Sequence, residues 1–317
     1  MMPTLPSNAL TTNRRNALLH LGWLCASLPS AWTQTRSACG LSIGTYGLQS
    51  WSLQEAIRKV SQAGFDGIEI AAMPGYPGDP ERLSQSTRHS LRHQLIDLDL
   101  RLDAIMAGIK PGLNAIGQAD RLERMKQCLE LAQTLATPDQ EPIVQTILGG
   151  PPKQPLPTPW IDELQKWREL AERSGVTISI KPHRGHLISR PRTAIQLLKE
   201  IGQSKRLRMV FDYSHFAFRD IPLNESIRTS SPWVNYVVLK DAHQNTSNVE
   251  FGLPSRTNPW SHADLIRSFY DHGYRGSFCC EISSHVWNRP GYDPQLALET
   301  SHRSMASAFQ RAGVARG

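Results

Sequence analysis

Residues 53–71, LQEAIRKVSQAGFDGIEIA, form the first helix-to-strand unit of the chain. Apolar side chains recur at helical spacing at Leu53, Ala56, Ile57, Val60 and Ala63. Gly64 ends this helix, and residues 67–71 are a short apolar run with the composition of a buried strand. The fold is decided by how often this unit is repeated.

Eight short apolar runs alternate with stretches of helical periodicity. They are residues 41–47, 67–71, 101–106, 142–148, 176–180, 207–211, 233–239 and 277–282. Strands that alternate with helices indicate a parallel sheet with right-handed crossovers. An open doubly wound sheet has the same rhythm, but a count of eight favours the closed form. We therefore predict an α/β chain with a single (β/α)8 TIM barrel, which takes about 250 residues and fits within 317.

Composition excludes several classes of protein. The net charge is +7 and 39% of residues are hydrophobic, which allows a sizeable core. No basic stripe with interleaved aromatic residues is present, so we expect no nucleic-acid partner. The five cysteines contain no CxxC spacing, which argues against a disulfide scaffold.

The first 38 residues have the pattern of an export signal. Arg14 and Arg15 precede an apolar stretch from Leu18 to Trp32, and the paired arginines resemble a twin-arginine signal. We predict a signal and linker at 1–38, a barrel at 39–317, and an exported, periplasmic or extracytoplasmic protein without a stable membrane span in its mature form. The alternative is a frayed helix or a misplaced start, which would leave the protein cytoplasmic.

Ionisable residues stand at the ends of five predicted strands, where barrel enzymes place their active sites. They are Glu69, Lys181, His183, Asp212, His215, Lys240, Asp241, His243 and Glu281. Taken singly, such an Asp often caps a loop and such a Lys often faces solvent. Taken together, they converge on one mouth, and buried carboxylates need a compensating cation. That cation is either a metal or a protein ammonium group.

At these positions the chain resembles the xylose isomerase-like barrel family, which contains sugar and sugar-phosphate isomerases and epimerases. The matching segments are AGFDGIE at 63–69, VFDYSH at 210–215, LKD at 239–241 and CEIS at 280–283. The resemblance runs from about residue 41 to 312 and implies a metal held by Glu, Asp, His and Glu after strands five to eight. Asp212 and Glu281 match the second and fourth of these ligands.

Two ligand positions depart from the family pattern. Lys181 stands in place of the strand-five Glu, and Val238 in place of the strand-seven His. KPH at 181–183 and RPGYDP at 289–294 resemble a branch of the family, so Lys181 looks like a feature of that branch. His183, His215 or His243 would have to complete a metal site.

The resemblance and the strand-end positions together define the candidate site. We predict catalytic roles for Lys181, Asp212, His215 and Glu281. Asp212 and Glu281 are also the predicted ligands of a divalent metal (Mn, Mg, Co or Zn). Because Lys181 and Val238 replace two of the family's ligands, the protein could also have lost this metal. Predicted substrate-binding residues are Glu69, His183, Lys240, His243 and Trp287.

The function implied by the resemblance is an isomerase or epimerase that moves a proton next to a carbonyl of a small carbohydrate. Three mechanisms are open: metal polarisation with Glu281 moving the proton, enediolate stabilisation by Lys181 without metal, and a Schiff base at Lys181 as in a lyase or aldolase. A fourth alternative is a non-catalytic sugar-binding barrel that kept the pocket and lost the reaction.

Overall fold

Eight parallel strands close into a barrel in the computed structural model of the protein, as the strand count predicted. The structure describes residues 38–317 except 113, 115, 138–139, 153–154, 247 and 256–257. The predicted export signal and Cys25 lie outside the described residues. The barrel strands, in chain order, are β1 Gly40–Gly44, β2 Gly67–Ala71, β3 Arg101–Met106, β4 Ile143–Ile147, β5 Thr177–Lys181, β6 Leu207–Asp212, β7 Val234–Leu239 and β10 Ser277–Cys280.

Helices connect the strands on the outside of the barrel. They are α1 Leu53–Gln62, α2 Gln85–Asp97, α3 Gln118–Leu135, α4 Thr158–Ser174, α5 Pro191–Glu200, α6 Leu223–Ser230, α7 His262–Asp271, α8 Ser284–Trp287 and α9 Pro294–Ala312. The helix positions follow from local signals such as Ser52, which caps α1 by accepting a hydrogen bond from the backbone of Glu55. Among the described residues, no helix is long and apolar enough to cross a membrane.

The core has two layers because strand side chains alternate between the two faces of the sheet. One layer fills the barrel interior and contains Ala104, Val210, Tyr236, Val238 and Cys279. The other lies between strands and helices and includes their strand neighbours, such as Leu239 and Cys280. The four described cysteines are buried thiols, which agrees with the absence of a disulfide scaffold.

The structure departs from the prediction at several strand ends and in one connection. The first strand stops at Gly44, because residues 45–47 form a 3-10 turn that leads away from the barrel. The predicted seventh strand-to-helix connection contains an unpredicted antiparallel hairpin, β8 Asp241–Gln244 and β9 Val249–Gly252. Its polar sequence lacks the apolar run by which the barrel strands were recognised. The hairpin lies directly after β7, at the mouth where the charged residues were predicted.

Gly47 joins the loops that follow the first and eighth barrel strands. A Cβ atom on Gly47 would lie 2.5 Å from Ile282 Cβ, and the Gly47 carbonyl accepts a 2.7 Å hydrogen bond from the hydroxyl of Tyr292. Only a glycine permits this approach of the two loops.

We expect Gly47→Ala to lower the free energy of unfolding by about 1–3 kcal/mol, since the added methyl group displaces Ile282. Gly252→Ala is the matched control, because its added Cβ meets Asp241 Cβ at an ordinary 3.7 Å. Urea unfolding of both variants measures the difference. Equal stabilities would show that the loops shift without penalty.

Candidate active site

Four charged side chains meet inside the mouth of the barrel. Lys181 ends β5, Asp212 ends β6, Lys240 follows β7 and Glu281 follows β10. Side chains alternate between the two faces of a strand, so residues two positions apart point the same way. Each of these four residues lies an even number of positions from an inward-facing strand residue and therefore also points inward. We call Lys181, Asp212, Lys240 and Glu281 the four-charge cluster.

Both lysines contact both carboxylates. Lys181 Nζ donates to Glu281 Oε2 at 2.5 Å and lies 3.5 Å from Asp212 Oδ2. Lys240 Nζ donates to Asp212 Oδ2 and lies 2.9 Å from Glu281 Oε1. Two positive and two negative charges therefore balance within the cluster, and its formal charge is zero.

Burial of the four-charge cluster is nearly complete. The side chains of Asp212 and Lys240 are at most 1% exposed, whereas those of Lys181 and Glu281 are 3% and 11% exposed. The cluster thus opens toward the Lys181–Glu281 side.

The ion pairs fix the ionisation of the carboxylates and of Lys181. Burial alone would raise the pKa of Glu281, but Lys181 and Lys240 outweigh it and lower this pKa to about 2. Burial also opposes ionisation of Asp212, and the same two lysines lower its pKa. Burial alone would lower the pKa of Lys181, but Glu281 and Asp212 raise it. All three groups are charged at neutral pH.

His215 borders the four-charge cluster and is the innermost of three histidines whose rings contact one another in a row. Its Nε2 is 3.3 Å from Lys240 Nζ, and its Nδ1 faces the backbone N–H of Arg184 at 3.4 Å. Burial, and then the charge of Lys240, lower its pKa well below the usual value, so the ring is neutral. The His183 ring is tilted by 42° against that of His215 with ring centroids 4.0 Å apart, and His186 stacks on His183 at 4.4 Å.

Glu69 is a buried carboxyl group at an inward position in β2, 1% exposed. Its Oε2 accepts a 3.1 Å hydrogen bond from Gln145 Nε2 of β4. Burial raises its pKa to about 7; Lys181 lowers this pKa and Glu281 raises it. Glu69 thus changes its charge near neutrality, unlike Asp212 and Glu281.

Aromatic residues line the mouth beyond β1 and β10. Tyr46 stacks on Tyr76 with centroids 5.8 Å apart and meets the edge of Trp287 at 5.6 Å. All three side chains are partly exposed. Burial raises the pKa of the Tyr46 hydroxyl, and the charge of Glu281 raises it further. The predicted substrate-binding residue Trp287 thus lies on the side where the four-charge cluster opens.

The hairpin after β7 covers the opposite side. Phe251 lies over Lys240 Nζ at 5.1 Å from the ring centroid and packs against His215 at 4.9 Å. Asp241 accepts hydrogen bonds from Ser255 Oγ and from His262 Nε2, the latter at 2.7 Å. These bonds hold the start of the hairpin against the loop that leads into α7.

The structure brings Glu69, Lys181, Asp212, His215, Lys240 and Glu281 together. His183 lies next to this group, because its ring contacts that of His215. His243 does not, since its side chain is exposed on β8. Among the side chains of the mouth, Tyr46, Tyr76, Gln145 and Phe251 were not predicted from sequence. Gln145 had a signal, because it is a polar residue at an inward position of a predicted strand.

A family model described as a xylose isomerase-like TIM barrel matches residues 57–308. The chain belongs to this family. A search of curated protein sequences gives no match. Solved structures of the same fold include L-ribulose 3-epimerase, with 19% identity, a TM-score of 0.68, and coverage of 87% of this chain and 96% of that one.

D-psicose 3-epimerase has 15% identity and a TM-score of 0.69, with coverage of 86% of this chain and 99% of that one. The IOLI protein, solved with a bound zinc atom, has 15% identity and a TM-score of 0.70 at the same coverages. At these identities the likeness shows the fold. Structural neighbours in the xylose isomerase-like family are mostly isomerases and epimerases, with a dehydratase among them.

The donor set at the mouth does not fit the divalent metal implied by the xylose isomerase-like family. Two ammonium groups occupy the carboxylate oxygens that a metal would need, and Val238 packs in the apolar interior layer. His215 Nε2 lies 3.3 Å from Lys240 Nζ, and His183 Nδ1 lies 2.9 Å from the backbone oxygen of Arg184, so both nitrogens already face protein groups. Within the described part of the chain, no group of three or more His, Cys, Asp or Glu side chains is arranged to hold a metal ion.

The lowered pKa of Glu281 predicts an acid-sensitive fold. A carboxyl group with a lowered pKa stabilises the folded state above its unfolded value, near 4.5, and loses that contribution as the pH falls toward about 2. The shift corresponds to about 3 kcal/mol at most. We expect the free energy of unfolding to decrease as the pH is lowered below about 5. In Glu281→Gln this decrease should be less steep.

Urea unfolding between about pH 6 and pH 3 measures these slopes. Glu130→Gln, at an exposed position of α3, is the control and should keep the wild-type slope. An equally steep loss of stability in Glu281→Gln would contradict the pairing of Glu281 with the lysines.

Proposed function

We propose that this chain is an enzyme that moves a proton next to a carbonyl group of a small carbohydrate, and that lysine ammonium groups supply the positive charge this reaction needs. One observation carries the proposal: two ammonium groups are held between two carboxylates at the strand ends of a xylose isomerase-like barrel. Proton removal next to a carbonyl creates an enediolate, whose negative oxygen needs a fixed cation or donor.

Lys181 is the ammonium group best placed for this role. An ammonium has three N–H donors, and two of those on Lys181 point to Glu281 and Asp212. The third has no hydrogen-bond partner among the residues the structure describes. Lys181 also lies on the more open side of the four-charge cluster, whereas Lys240 is covered by Phe251. A substrate oxygen that enters from the aromatic side therefore reaches Lys181 first.

A Schiff base at Lys181 is disfavoured by the same contacts. Amine attack on a carbonyl requires a neutral nitrogen with a lone pair. The carboxylates of Glu281 and Asp212 raise the pKa of Lys181 and keep it protonated. Electrostatic stabilisation by a permanent ammonium is thus the mechanism that the contacts favour.

A carbohydrate substrate is supported by two observations. Tyr46 and Trp287 present partly exposed aromatic surface beside the four-charge cluster, and aromatic faces pack well on the apolar face of a sugar ring. Among the structural neighbours are L-ribulose 3-epimerase and D-psicose 3-epimerase. The neutral cluster also suits an uncharged polyol better than a phosphate.

We also propose that residues 1–38 direct export, so that the enzyme meets free sugars, glycosides or oxidised sugars outside the cytoplasm. Replacing Arg14 and Arg15 together by lysine should then retain the protein in the cytoplasm, as judged by cell fractionation and immunoblotting. Unchanged export of the double variant would refute the twin-arginine assignment.

Proton transfer is tested by NMR of D-glucose, D-xylose, D-fructose and L-ribulose incubated with the full-length protein in D2O. We expect deuterium to appear at carbon next to the carbonyl of at least one sugar. Lys181→Met should lower this rate by at least about 100-fold, because the enediolate loses its cation. Lys166→Met, at an exposed position of α4, is the matched control and should keep the wild-type rate.

Chelation should leave the rate unchanged. If EDTA abolishes exchange and Mn²⁺ or Mg²⁺ restores it, the role assigned to the ammonium groups is wrong. Sugar binding without any exchange would identify a carbohydrate-binding barrel instead of an enzyme. Circular dichroism of Lys181→Met separates a loss of chemistry from a loss of fold.

A further inference from the structure

The four-charge cluster leaves no carboxylate oxygen ready to accept a proton. Asp212 Oδ1 accepts hydrogen bonds from the backbone N–H and the hydroxyl of Ser214, at 3.2 and 2.5 Å, and Oδ2 accepts from both lysines. Glu281 Oε2 is bound by Lys181 and Oε1 by Lys240. A proton could reach either group only by displacing an ammonium or, at Asp212 Oδ1, a hydrogen bond from Ser214, which is consistent with their lowered pKa values.

Glu69 has the opposite arrangement. Its Oε2 accepts one hydrogen bond from Gln145, and no ion pair to Glu69 is formed by any described residue. Its Oε1 lies beside Gly44 at the end of β1, where a Cβ atom would be only 2.9 Å away. The glycine therefore leaves room for this oxygen, and the hydrogen-bonding groups near the carboxylate, the Gln145 amide and the Tyr236 hydroxyl, are both neutral.

The charged and titratable groups around Glu69 come from three sides. Lys181 faces it from β5 and Glu281 from the end of β10; Tyr236 and Cys279 lie toward it from the barrel interior. Burial and these neighbours together raise its pKa to about 7. A carboxyl group in this state both accepts and returns a proton at neutral pH.

We infer that Glu69 carries the proton in the reaction proposed above, and that it takes and returns the proton on one face of the substrate. This inference rests on the proposed function. It also specifies the reaction: inversion of a carbon requires a second proton carrier on the opposite face, and the two other carboxylates of the mouth are locked in ion pairs. The site is therefore built for aldose–ketose isomerisation rather than epimerisation.

The transfer balances without any further reactant. Glu69 Oε1 takes the proton from the carbon next to the carbonyl, the C–H electron pair becomes the C=C bond, and the carbonyl oxygen becomes negative beside Lys181. The proton of the neighbouring hydroxyl then passes to this oxygen within the enediolate, while Lys181 stays protonated and stabilises the negative charge. Glu69 returns its proton to the former carbonyl carbon, on the same face. Each sugar carbon keeps its oxygen, and the carbonyl moves by one carbon.

The sugar of the NMR panel that exchanges fastest with the full-length protein tests this inference. We expect the aldose and its ketose to interconvert. Deuterium that Glu69 takes up from D2O before it returns the proton should appear at C2 of the aldose or C1 of the ketose, with no C3 deuterium and no C3 epimer. Glu69→Gln should lower kcat by at least about 100-fold while sugar binding, measured by calorimetry, changes by only a few fold. Glu130→Gln is the matched surface control and should retain the wild-type kcat.

A second variant tests Glu69 without removing it. The hydrogen bond from Gln145 favours the charged form of Glu69, so Gln145→Leu should raise the pKa of Glu69 and move the rising limb of the kcat–pH profile to higher pH. A role of Gln145 in folding alone would leave that midpoint unchanged.

The outcomes separate the inference from the proposed function. If the wild-type protein exchanges sugar C–H protons but Glu69→Gln keeps more than about a tenth of kcat, Glu69 is not the carrier and only the inference falls. Formation of a C3 epimer would likewise overturn the single-face assignment alone. If the wild-type protein neither exchanges nor isomerises any sugar of the panel, the proposed function fails, and the inference fails with it.

Discussion

The mouth of this barrel depends on the pairing of two buried ammonium groups with two buried carboxylates. Removal of four charges from water is costly, and it is compensated only when every charge has a close partner of opposite sign. Lys181, Asp212, Lys240 and Glu281 meet this condition because four separate strands deliver them to one point. A shift of one residue in any of these strands would turn its charged side chain away from the partners and leave the other charges uncompensated.

The two departures from the metal-binding pattern of the family are physically related. A lysine at position 181 places a positive charge against Asp212 and Glu281, where the resemblance implies a metal. With that charge supplied, no imidazole is needed on the seventh strand, and Val238 joins the apolar interior. Lys240, two residues further on, adds the second positive charge that balances the pair of carboxylates.

The barrel was predictable because its signal is periodic and local. Apolar strands of four to six residues, each followed by an amphipathic helix, can bury their side chains only as a sheet covered by helices. The alternation of side chains then turned Glu69, Lys181, Asp212 and Glu281 inward, and strand-end position alone selected them. The hairpin of β8 and β9 was missed because its residues are mostly polar, and it was this hairpin that left His243 exposed.

The hydrogen bonds and ion pairs within the site were not predictable, because they depend on distances between strands that are far apart in sequence. Lys240 was expected to bind substrate, yet it is covered by Phe251, a residue without any sequence signal for the mouth. Gln145 had a signal as a polar residue at an inward strand position, but its hydrogen bond to Glu69 across the barrel interior could not be predicted. The sequence pattern shows which side chains face inward, but only the packed barrel shows which carboxylate oxygens already accept a hydrogen bond.

The hairpin covers one side of the four-charge cluster and leaves the other side more open. Phe251 and His215 close the Lys240 side, where exposure is at most 1%, whereas the Lys181–Glu281 side borders partly exposed Tyr46. Both lysines contact the same two carboxylates. In the reaction proposed above, access decides which of them meets the substrate, and Phe251 on the Lys240 side provides this asymmetry.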